Sequence, residues 1–191
     1  MEHKFNPENK KRLSGELRKK ILPASRTLKG AGLKTGMTIA DVGCGNGYFT
    51  FNASKIVGSK GRVFALDISS EMLEDIISIV KEKDITNIEA IKTEENNLKI
   101  DKESVDIAFS CNVVHETRDP GLFLIEIKRI LKNQGRIAII DWEKIDSDFG
   151  PPKEHRIDKS MLMGQLKDIG FKYIKTKSLN KDLYRITAIK K

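Results

Sequence analysis

Residues 40–49 read ADVGCGNGYF, in which glycine occupies every second position from 43 to 47 directly after a short apolar run. Ordered glycine is costly in backbone entropy, so this spacing indicates either a turn whose backbone a ligand touches or a tight turn. The apolar run predicts a buried strand over about residues 37–42, and the following NGYFTFNASKIVG predicts a helix that ends at Gly58. The decapeptide is therefore predicted to be the first strand-to-helix connection of an α/β fold.

Strands and helices continue to alternate along the chain. Apolar, β-branched runs predict strands at RVFALD, NIEAIKT, VDIAFSC and RIAIIDW. A helix capped by Ser69 or Ser70 is predicted to run to Lys83. Its apolar face is predicted to contain Met72, Leu73, Ile76, Ile77 and Val80. Two further helices are predicted, one opened by Asp119 and Pro120 and ending at Gly135, and one over about residues 159–169 before Gly170.

The two ends of the chain complete the pattern. Asn6 followed by Pro7 predicts the start of a lysine-rich surface helix that runs to about Ile21, and Pro23 separates it from a short helix ending near residues 30–32. At the other end, FKYIKTKS and LYRITAIK predict an antiparallel strand pair. Such alternation predicts a mainly parallel sheet with helices on both faces and a ligand at the carboxyl ends of its strands.

Composition limits the class of protein. The chain has 191 residues, of which 39% are hydrophobic and 32% charged, as expected for one globular domain. We expect no membrane span, since no stretch approaches the roughly 18 apolar residues required. The first 13 residues lack the apolar segment of a secretory signal, so a cytoplasmic location is expected. Two cysteines, Cys44 and Cys111, indicate neither a disulfide framework nor a metal site.

The net charge of +8 is unevenly distributed. Residues 1–35 and 151–191 each carry +7, which leaves −6 for the middle of the chain. The positive ends either attract an anionic substrate or nucleic acid, or they place solvated lysines on terminal helices and an edge strand. The second interpretation is favoured because no basic run is interleaved with aromatic residues, so a nucleic-acid partner is not expected.

The acid that follows the second strand indicates a nucleotide ligand. Asp67 comes twenty residues after Gly47, at the end of RVFALD, where a carboxylate can accept both hydroxyls of a ribose. Dinucleotide sites use GxGxxG, whereas this chain has GxGxG, with Tyr48 where the third glycine would stand. Asp41 before the turn repels a pyrophosphate but attracts an amine. A ribose, an adenine and a cationic amino-acid tail together describe S-adenosylmethionine.

Four segments resemble successive motifs of the class I S-adenosylmethionine-dependent methyltransferases: ADVGCGNGYF, VFALDISSEML, TEENNLKIDKESVDIAFSCNVVHE and LKNQGRIAIIDWE. The chain is most similar there to the methyltransferase type 11 group, which includes ubiquinone and menaquinone biosynthesis enzymes. The resemblance covers about residues 36–142. It implies a Rossmann-like, seven-stranded sheet of order 3214576 whose last strand is antiparallel. It also implies a cofactor-binding core at 36–142, between an N-terminal helical cap at 1–35 and an acceptor side at 143–191.

The resemblance implies how the cofactor is held. Asp41 and the turn of residues 43–47 bind the methionine end, Asp67 binds the ribose, and Ile68 with Met72 contacts the adenine faces. Glu94 in TEENNLKI stands where the family has an aspartate that bonds the adenine amine. The complete set of expected cofactor contacts is Asp41, Gly43, Cys44, Gly45, Gly47, Tyr48, Asp67, Ile68, Met72, Glu94, Glu95, Asn96 and Cys111.

Methyl transfer requires alignment above all, and a base only where the acceptor must lose a proton. His115 after the fourth strand is the candidate base, with a loop-shaping role as the alternative. His155 and Arg156 follow the fifth strand, where these enzymes receive their acceptor, and either grip an anionic acceptor or form a loop salt bridge. Trp142 either lines the acceptor pocket or packs in the hydrophobic core. Tyr48 either contacts the carboxylate of the cofactor or has only a packing role.

A small-molecule acceptor is the favoured interpretation, with S-adenosylhomocysteine as the second product and a monomer or homodimer as the working unit. The alternatives are an RNA methyltransferase that uses the basic termini and a noncatalytic cofactor-binding regulator. CNVVHE differs from the Asn/Asp-Pro-Pro-aromatic tetrapeptide of many base amino-methylating enzymes, which disfavours the first alternative. Cys44 and Cys111 follow strands that the family places side by side, which leaves metalloid methylation as a minor alternative.

Overall fold

The structure, a computed structural model, describes residues 15–147 and 149–191. Within them, seven strands form one sheet in the order β3-β2-β1-β4-β5-β7-β6. The strands are Thr38–Val42 (β1), Arg62–Asp67 (β2), Ile88–Lys92 (β3), Val105–Cys111 (β4), Leu131–Trp142 (β5), Phe171–Ser178 (β6) and Leu183–Lys190 (β7). Strands β1 to β5 pair in parallel, and β7 is antiparallel to both β5 and β6. The predicted Rossmann-like fold is confirmed, including the strand order and the antiparallel last strand.

Helices cover both faces of this sheet, as expected. They are Glu16–Ile21 (α1), Ala24–Ala31 (α2), Thr50–Val57 (α3), Ser70–Glu82 (α4), Pro120–Ile130 (α5) and Lys159–Asp168 (α6). Apolar side chains of α2 and α3 pack on one face, and those of α5 and α6 pack on the other. Pro23 separates α1 from α2 as predicted, whereas the predicted helix start at Asn6 and Pro7 lies outside the described residues.

The carboxyl ends of β1, β2 and β4 lie side by side because these strands are parallel and adjacent. Asp41 and Asp67 therefore come together at one edge of the sheet, with Cys111 at the end of β4. Among residues 15–147 and 149–191 there is no helix both long and apolar enough to cross a membrane.

Three local predictions are wrong in detail. Helix α3 begins at Thr50 and not at Asn46. The reason is that Gly47 has a φ of 81°, and its N–H donates a hydrogen bond to the Cys44 carbonyl in a turn. Helix α5 ends at Ile130 and not at Gly135, since the buried Leu131 is extended and pairs with the first residue of β4. Ile77 was placed on the apolar face of α4 but is 52% exposed.

The caps of α4 and α5 follow the prediction. Ser69 accepts a hydrogen bond from the Met72 N–H, and Asp119 accepts one from the Leu122 N–H at 3.0 Å. Pro120 occupies the first turn of α5, where it displaces no helical hydrogen bond.

We expect Asp119→Ala to lower the free energy of unfolding by about 1 kcal/mol, because the Leu122 N–H loses its acceptor. Urea unfolding followed by circular dichroism measures this change. Asp119→Ser, which keeps a capping oxygen, is the control and is expected to stay close to the wild type. Equal stability of the alanine and serine variants would contradict a capping role.

Candidate active site

The turn after β1 has a conformation that favours glycine. Gly43, Gly45 and Gly47 have φ angles of 71°, 53° and 81°, which side-chain-bearing residues rarely adopt. A Cβ atom on Gly43 would collide with Val113, and one on Gly47 would lie 2.6 Å from Phe51. Gly43 and Gly47 are thus required both by conformation and by close packing, and Gly45 is required by conformation.

Asp67 connects the end of β2 to this turn. Its two carboxylate oxygens accept hydrogen bonds from the Gly45 N–H at 2.8 Å and from the Ser69 N–H at 2.9 Å. Burial raises the pKa of Asp67, although these backbone hydrogen bonds oppose the effect. Ile68, the next residue, is 46% exposed, whereas Met72 in the first turn of α4 is buried. An acidic group, bare backbone and an exposed apolar side chain thus adjoin one another, which suits a nucleoside.

Asp41 is buried at the end of β1. The Thr50 hydroxyl donates a hydrogen bond to its carboxylate at 2.6 Å. Burial raises the pKa of Asp41 to about 6, despite this hydrogen bond and the positive charge of Arg18. A bound cation would favour the ionised form, which is the role that the resemblance implies for the cofactor amine.

We expect Asp41→Asn to stabilise the ligand-free protein at pH 8 by about 1–3 kcal/mol, because it removes a buried charge and keeps an acceptor for Thr50. The folded-state pKa exceeds the ordinary value of 3.8, so folding takes up a proton between these two values. The unfavourable contribution of Asp41 therefore grows as pH rises from about 4 through 6. Urea unfolding of both proteins at pH 4.5 and pH 8 checks this, and a pH-independent difference would contradict it.

The resemblance implies that the segment after β3 contacts adenine, but its side chains are exposed or bonded to other residues of the protein. The Glu94 side chain is 68% exposed and pairs with Lys99 at 3.0 Å. The Glu95 carboxylate accepts the Arg118 N–H at 2.7 Å, and Asn96 is exposed. The backbone of Glu94 pairs with Asn97 in a tight loop. Cofactor contacts at these residues stay predictions.

The two cysteines are buried free thiols. Burial raises the pKa of Cys111 to about 12 and that of Cys44 well above its ordinary value. Both side chains are therefore protonated at neutral pH, and protonated thiols are poor metalloid ligands. This chemistry argues against the minor metalloid alternative.

His115 and Asp141 form a buried pair, of which the sequence analysis named only His115. The His115 Nδ1 lies 2.7 Å from Asp141 Oδ1, and their side chains are 6% and 0% exposed. Asp141 also accepts the backbone N–H of His115 at 3.3 Å and that of Trp142 at 2.8 Å. Burial lowers the pKa of His115, but the hydrogen bond and charge of Asp141 outweigh it, so the pKa is raised. Asp141 thus orients the ring through Nδ1, and Nε2 lies 3.7 Å from the Glu116 carboxylate.

Asp141 was missed, although a signal for it exists. It follows the apolar run IAII at the carboxyl end of β5, just as Asp41 and Asp67 follow the apolar residues of β1 and β2. An acid in this position of a parallel sheet indicates a site residue.

The loop after β5 is organised around Arg156 and Trp142. Arg156 is 2% exposed, and its guanidinium lies 5.5 Å from the centre of the Trp142 ring. It donates hydrogen bonds to the backbone carbonyls of Glu143, Ile145, Phe149 and Pro151. The expectation that Arg156 grips an anionic acceptor is therefore not supported, since loop carbonyls occupy its donors. His155 beside it is exposed, and Trp142 is partly buried against the core.

Tyr48 and Arg18 join the first described helix to the turn. The Tyr48 hydroxyl donates a hydrogen bond to the Leu22 carbonyl at 2.9 Å, so it packs rather than pointing freely to a ligand. Arg18 of α1 lies over the Tyr48 ring at 5.1 Å and reaches toward Cys111. No sequence pattern marked Arg18, one of many cations in its segment.

A methyltransferase domain family matches residues 33–190, which is most of the chain. The chain belongs to this family. Its cofactor is S-adenosylmethionine, and the protein is a member of the class I, type 11 S-adenosylmethionine-dependent methyltransferases. The bare glycine turn, the buried Asp41 and the Asp67 bond to Gly45 fit such a ligand.

Individual relatives agree with this assignment. A demethylmenaquinone methyltransferase of Lactococcus lactis is 37% identical over 117 residues, which are 61% of this chain and 46% of that protein. An arsenite methyltransferase of Halobacterium salinarum is 32% identical over 111 residues, 58% of this chain and 28% of that protein. The chain thus spans less than half the length of these curated relatives. The crystal structure of a SAM-dependent methyltransferase from Aquifex aeolicus has a TM-score of 0.91 and 35% identity, and the match covers 97% of this chain and 99% of that one.

Proposed function

We propose that this methyltransferase transfers a methyl group from S-adenosylmethionine to a small-molecule acceptor whose reacting atom loses a proton. The observation that carries the proposal is the buried His115–Asp141 pair at the carboxyl ends of β4 and β5. Val113, two residues before His115, packs against Gly43 of the turn. The pair therefore lies close to the backbone that receives the cofactor.

Each residue of the site has a separate role in this proposal. Asp41 attracts the cationic end of the cofactor, Asp67 accepts the ribose hydroxyls, and the glycine turn admits the ligand to backbone contact. S-adenosylmethionine supplies an electrophilic methyl group, and its own leaving group departs neutral. Nε2 of His115 takes up the proton that the methyl acceptor loses. Asp141 keeps the imidazole oriented and stabilises its charged form. Trp142 and the loop that Arg156 organises exclude water from the acceptor side.

This base and the relatives support the proposed acceptor class. A histidine base serves a phenol, an alcohol or a carbon acid, whose proton must be removed. A demethylmenaquinone methyltransferase is among the curated relatives, which supports an acceptor of the quinone class. The protonated, buried cysteines disfavour arsenite, although an arsenite methyltransferase is also similar to this chain.

Calorimetric titration and product detection test the proposal. We expect S-adenosylhomocysteine to bind and NAD not to compete with it. Mass spectrometry is expected to detect S-adenosylhomocysteine when S-adenosylmethionine is supplied with hydroxylated naphthoquinones, phenols or carbon acids, but not with arsenite or tRNA. Turnover with tRNA alone would support the RNA alternative, and binding without turnover on any acceptor would support a noncatalytic regulator.

The division into a cap at residues 1–35, a cofactor-binding core at 36–142 and an acceptor side at 143–191 is part of this proposal. So are the cytoplasmic location and a monomer or homodimer as the working unit. Arg156, whose guanidinium lies 5.5 Å from the centre of the Trp142 ring, supports a contribution of the residues after 142 to the acceptor side.

A further inference from the structure

Arg18 lies over the carboxyl edge of the sheet although it belongs to the segment before β1. Its guanidinium carbon is 5.1 Å from the Tyr48 ring centre and 5.3 Å from that of Phe49, the two residues that follow the glycine turn. Its Nη2 is 4.0 Å from Cys111 Sγ at the end of β4. The charge therefore lies between the turn after β1 and the end of β4.

Two nitrogen donors of this guanidinium, Nε and Nη2, are poorly satisfied. Nε is buried and has no hydrogen-bond partner among the residues that the structure describes. The sulfur that Nη2 reaches is a weak acceptor. Buried polar groups in native proteins are normally hydrogen-bonded, and a charged donor left without an acceptor is costly. An anion with oxygen acceptors would satisfy these donors.

The position of Arg18 is fixed by its neighbours. The Tyr48 hydroxyl donates a hydrogen bond of 2.9 Å to the carbonyl of Leu22, the residue just after α1. Two aromatic rings pack against the guanidinium, which restricts its orientation. A planar guanidinium held in this way presents a fork that matches a carboxylate with two parallel hydrogen bonds.

A negative group stands close to this positive one. Asp41 is near enough for the charge of Arg18 to oppose the dominant effect of burial on its pKa, and its carboxylate already accepts the Thr50 hydroxyl. A cation-binding carboxylate and an anion-binding guanidinium side by side are complementary to a zwitterion. The α-amino and α-carboxylate groups of an amino acid have this arrangement of charges.

We propose that Arg18 binds the α-carboxylate of the methionine part of the cofactor, while Asp41 binds the amine. This inference rests on the proposed function, since it uses the same cofactor site. It makes the segment before β1 a part of the cofactor site.

The test compares two ligands that differ by one carboxylate. Isothermal titration measures S-adenosylhomocysteine and its decarboxylated analogue, S-adenosyl-3-thiopropylamine, against the wild type, Arg18→Gln and Lys20→Gln. Lys20 is an exposed cation of the same helix and serves as the matched control. We expect Arg18→Gln to weaken S-adenosylhomocysteine about tenfold or more, because two charge-assisted hydrogen bonds are lost. We expect it to leave the affinity for the analogue unchanged, and Lys20→Gln to change neither.

Several results would overturn the inference. An equal loss for both ligands means that Arg18 only supports the fold through Tyr48 and Phe49, and no loss for either means that it does not bind the cofactor. Arg18→Lys, which keeps the charge without the fork, is expected to bind S-adenosylhomocysteine with intermediate affinity, and this variant decides the matter if the glutamine protein does not fold. If the wild type binds S-adenosylhomocysteine but does not prefer it to the analogue, this inference alone fails. If the wild type does not bind S-adenosylhomocysteine, the proposed function fails too.

Discussion

Replacing Asp67 by alanine is expected to weaken S-adenosylhomocysteine binding by at least tenfold. A carboxylate that accepts both ribose hydroxyls contributes two charge-assisted hydrogen bonds, each worth about 1.5–3 kcal/mol. The substitution also removes the acceptor of the Gly45 N–H and so loosens the turn that receives the methionine end. Isothermal titration of the variant measures the combined loss.

Two comparisons separate the ribose contact from the effect on the turn. Asp67→Asn keeps an oxygen acceptor for the turn but carries no charge, so an intermediate affinity is expected. Glu74→Ala removes an exposed carboxylate of α4 and is expected to bind like the wild type. An unchanged affinity in Asp67→Ala would remove the ribose assignment and would weaken the case for S-adenosylmethionine as the ligand of this edge.

The part of the site that was predictable is local in the chain. Gly43, Gly45 and Gly47 are required by their own φ angles, and that requirement is visible in the sequence because few other residues satisfy it. Asp67 was predictable because strand ends in a parallel sheet converge, and the strand RVFALD was recognisable. The sheet order came from the resemblance to a family, since periodicity alone does not order strands.

The remaining features depend on contacts between distant segments. Arg18 lies 93 positions before Cys111, and no local pattern separates it from the neighbouring lysines. Arg156 was expected either to grip an anionic acceptor or to form a loop salt bridge, but its guanidinium donates to four loop carbonyls, and no local pattern marks these acceptors. The end of α5 was misplaced because Leu131 is held in a strand by its partner Val105, an interaction outside the local sequence.

Asp141→Asn is expected to reduce turnover by about 100-fold or more with an acceptor that must lose a proton, while S-adenosylhomocysteine affinity stays unchanged. General base catalysis contributes about 10²–10⁴ in rate, and much of it depends on the correct tautomer and orientation of the histidine. An asparagine can donate to Nδ1 instead of accepting from it, which places the proton on the nitrogen that should act as the base. His115→Ala is expected to lose a similar factor, and the double variant little more, because the two residues act as a unit.

The pH profile distinguishes a positioning role of Asp141 from a purely structural one. His115 must be neutral to accept a proton, so wild-type kcat/KM is expected to rise as pH rises through its pKa, which Asp141 holds above the ordinary value. Without that negative charge the pKa of His115 falls, so in Asp141→Asn the rise is expected at lower pH with a reduced plateau. In His115→Ala this rise is expected to disappear, and Asp101→Asn, an exposed acid in the loop before β4, serves as the unaffected control. A lower plateau with the midpoint unmoved in Asp141→Asn would show that the aspartate only supports the fold, because loss of a structural contact does not change which pH neutralises the base.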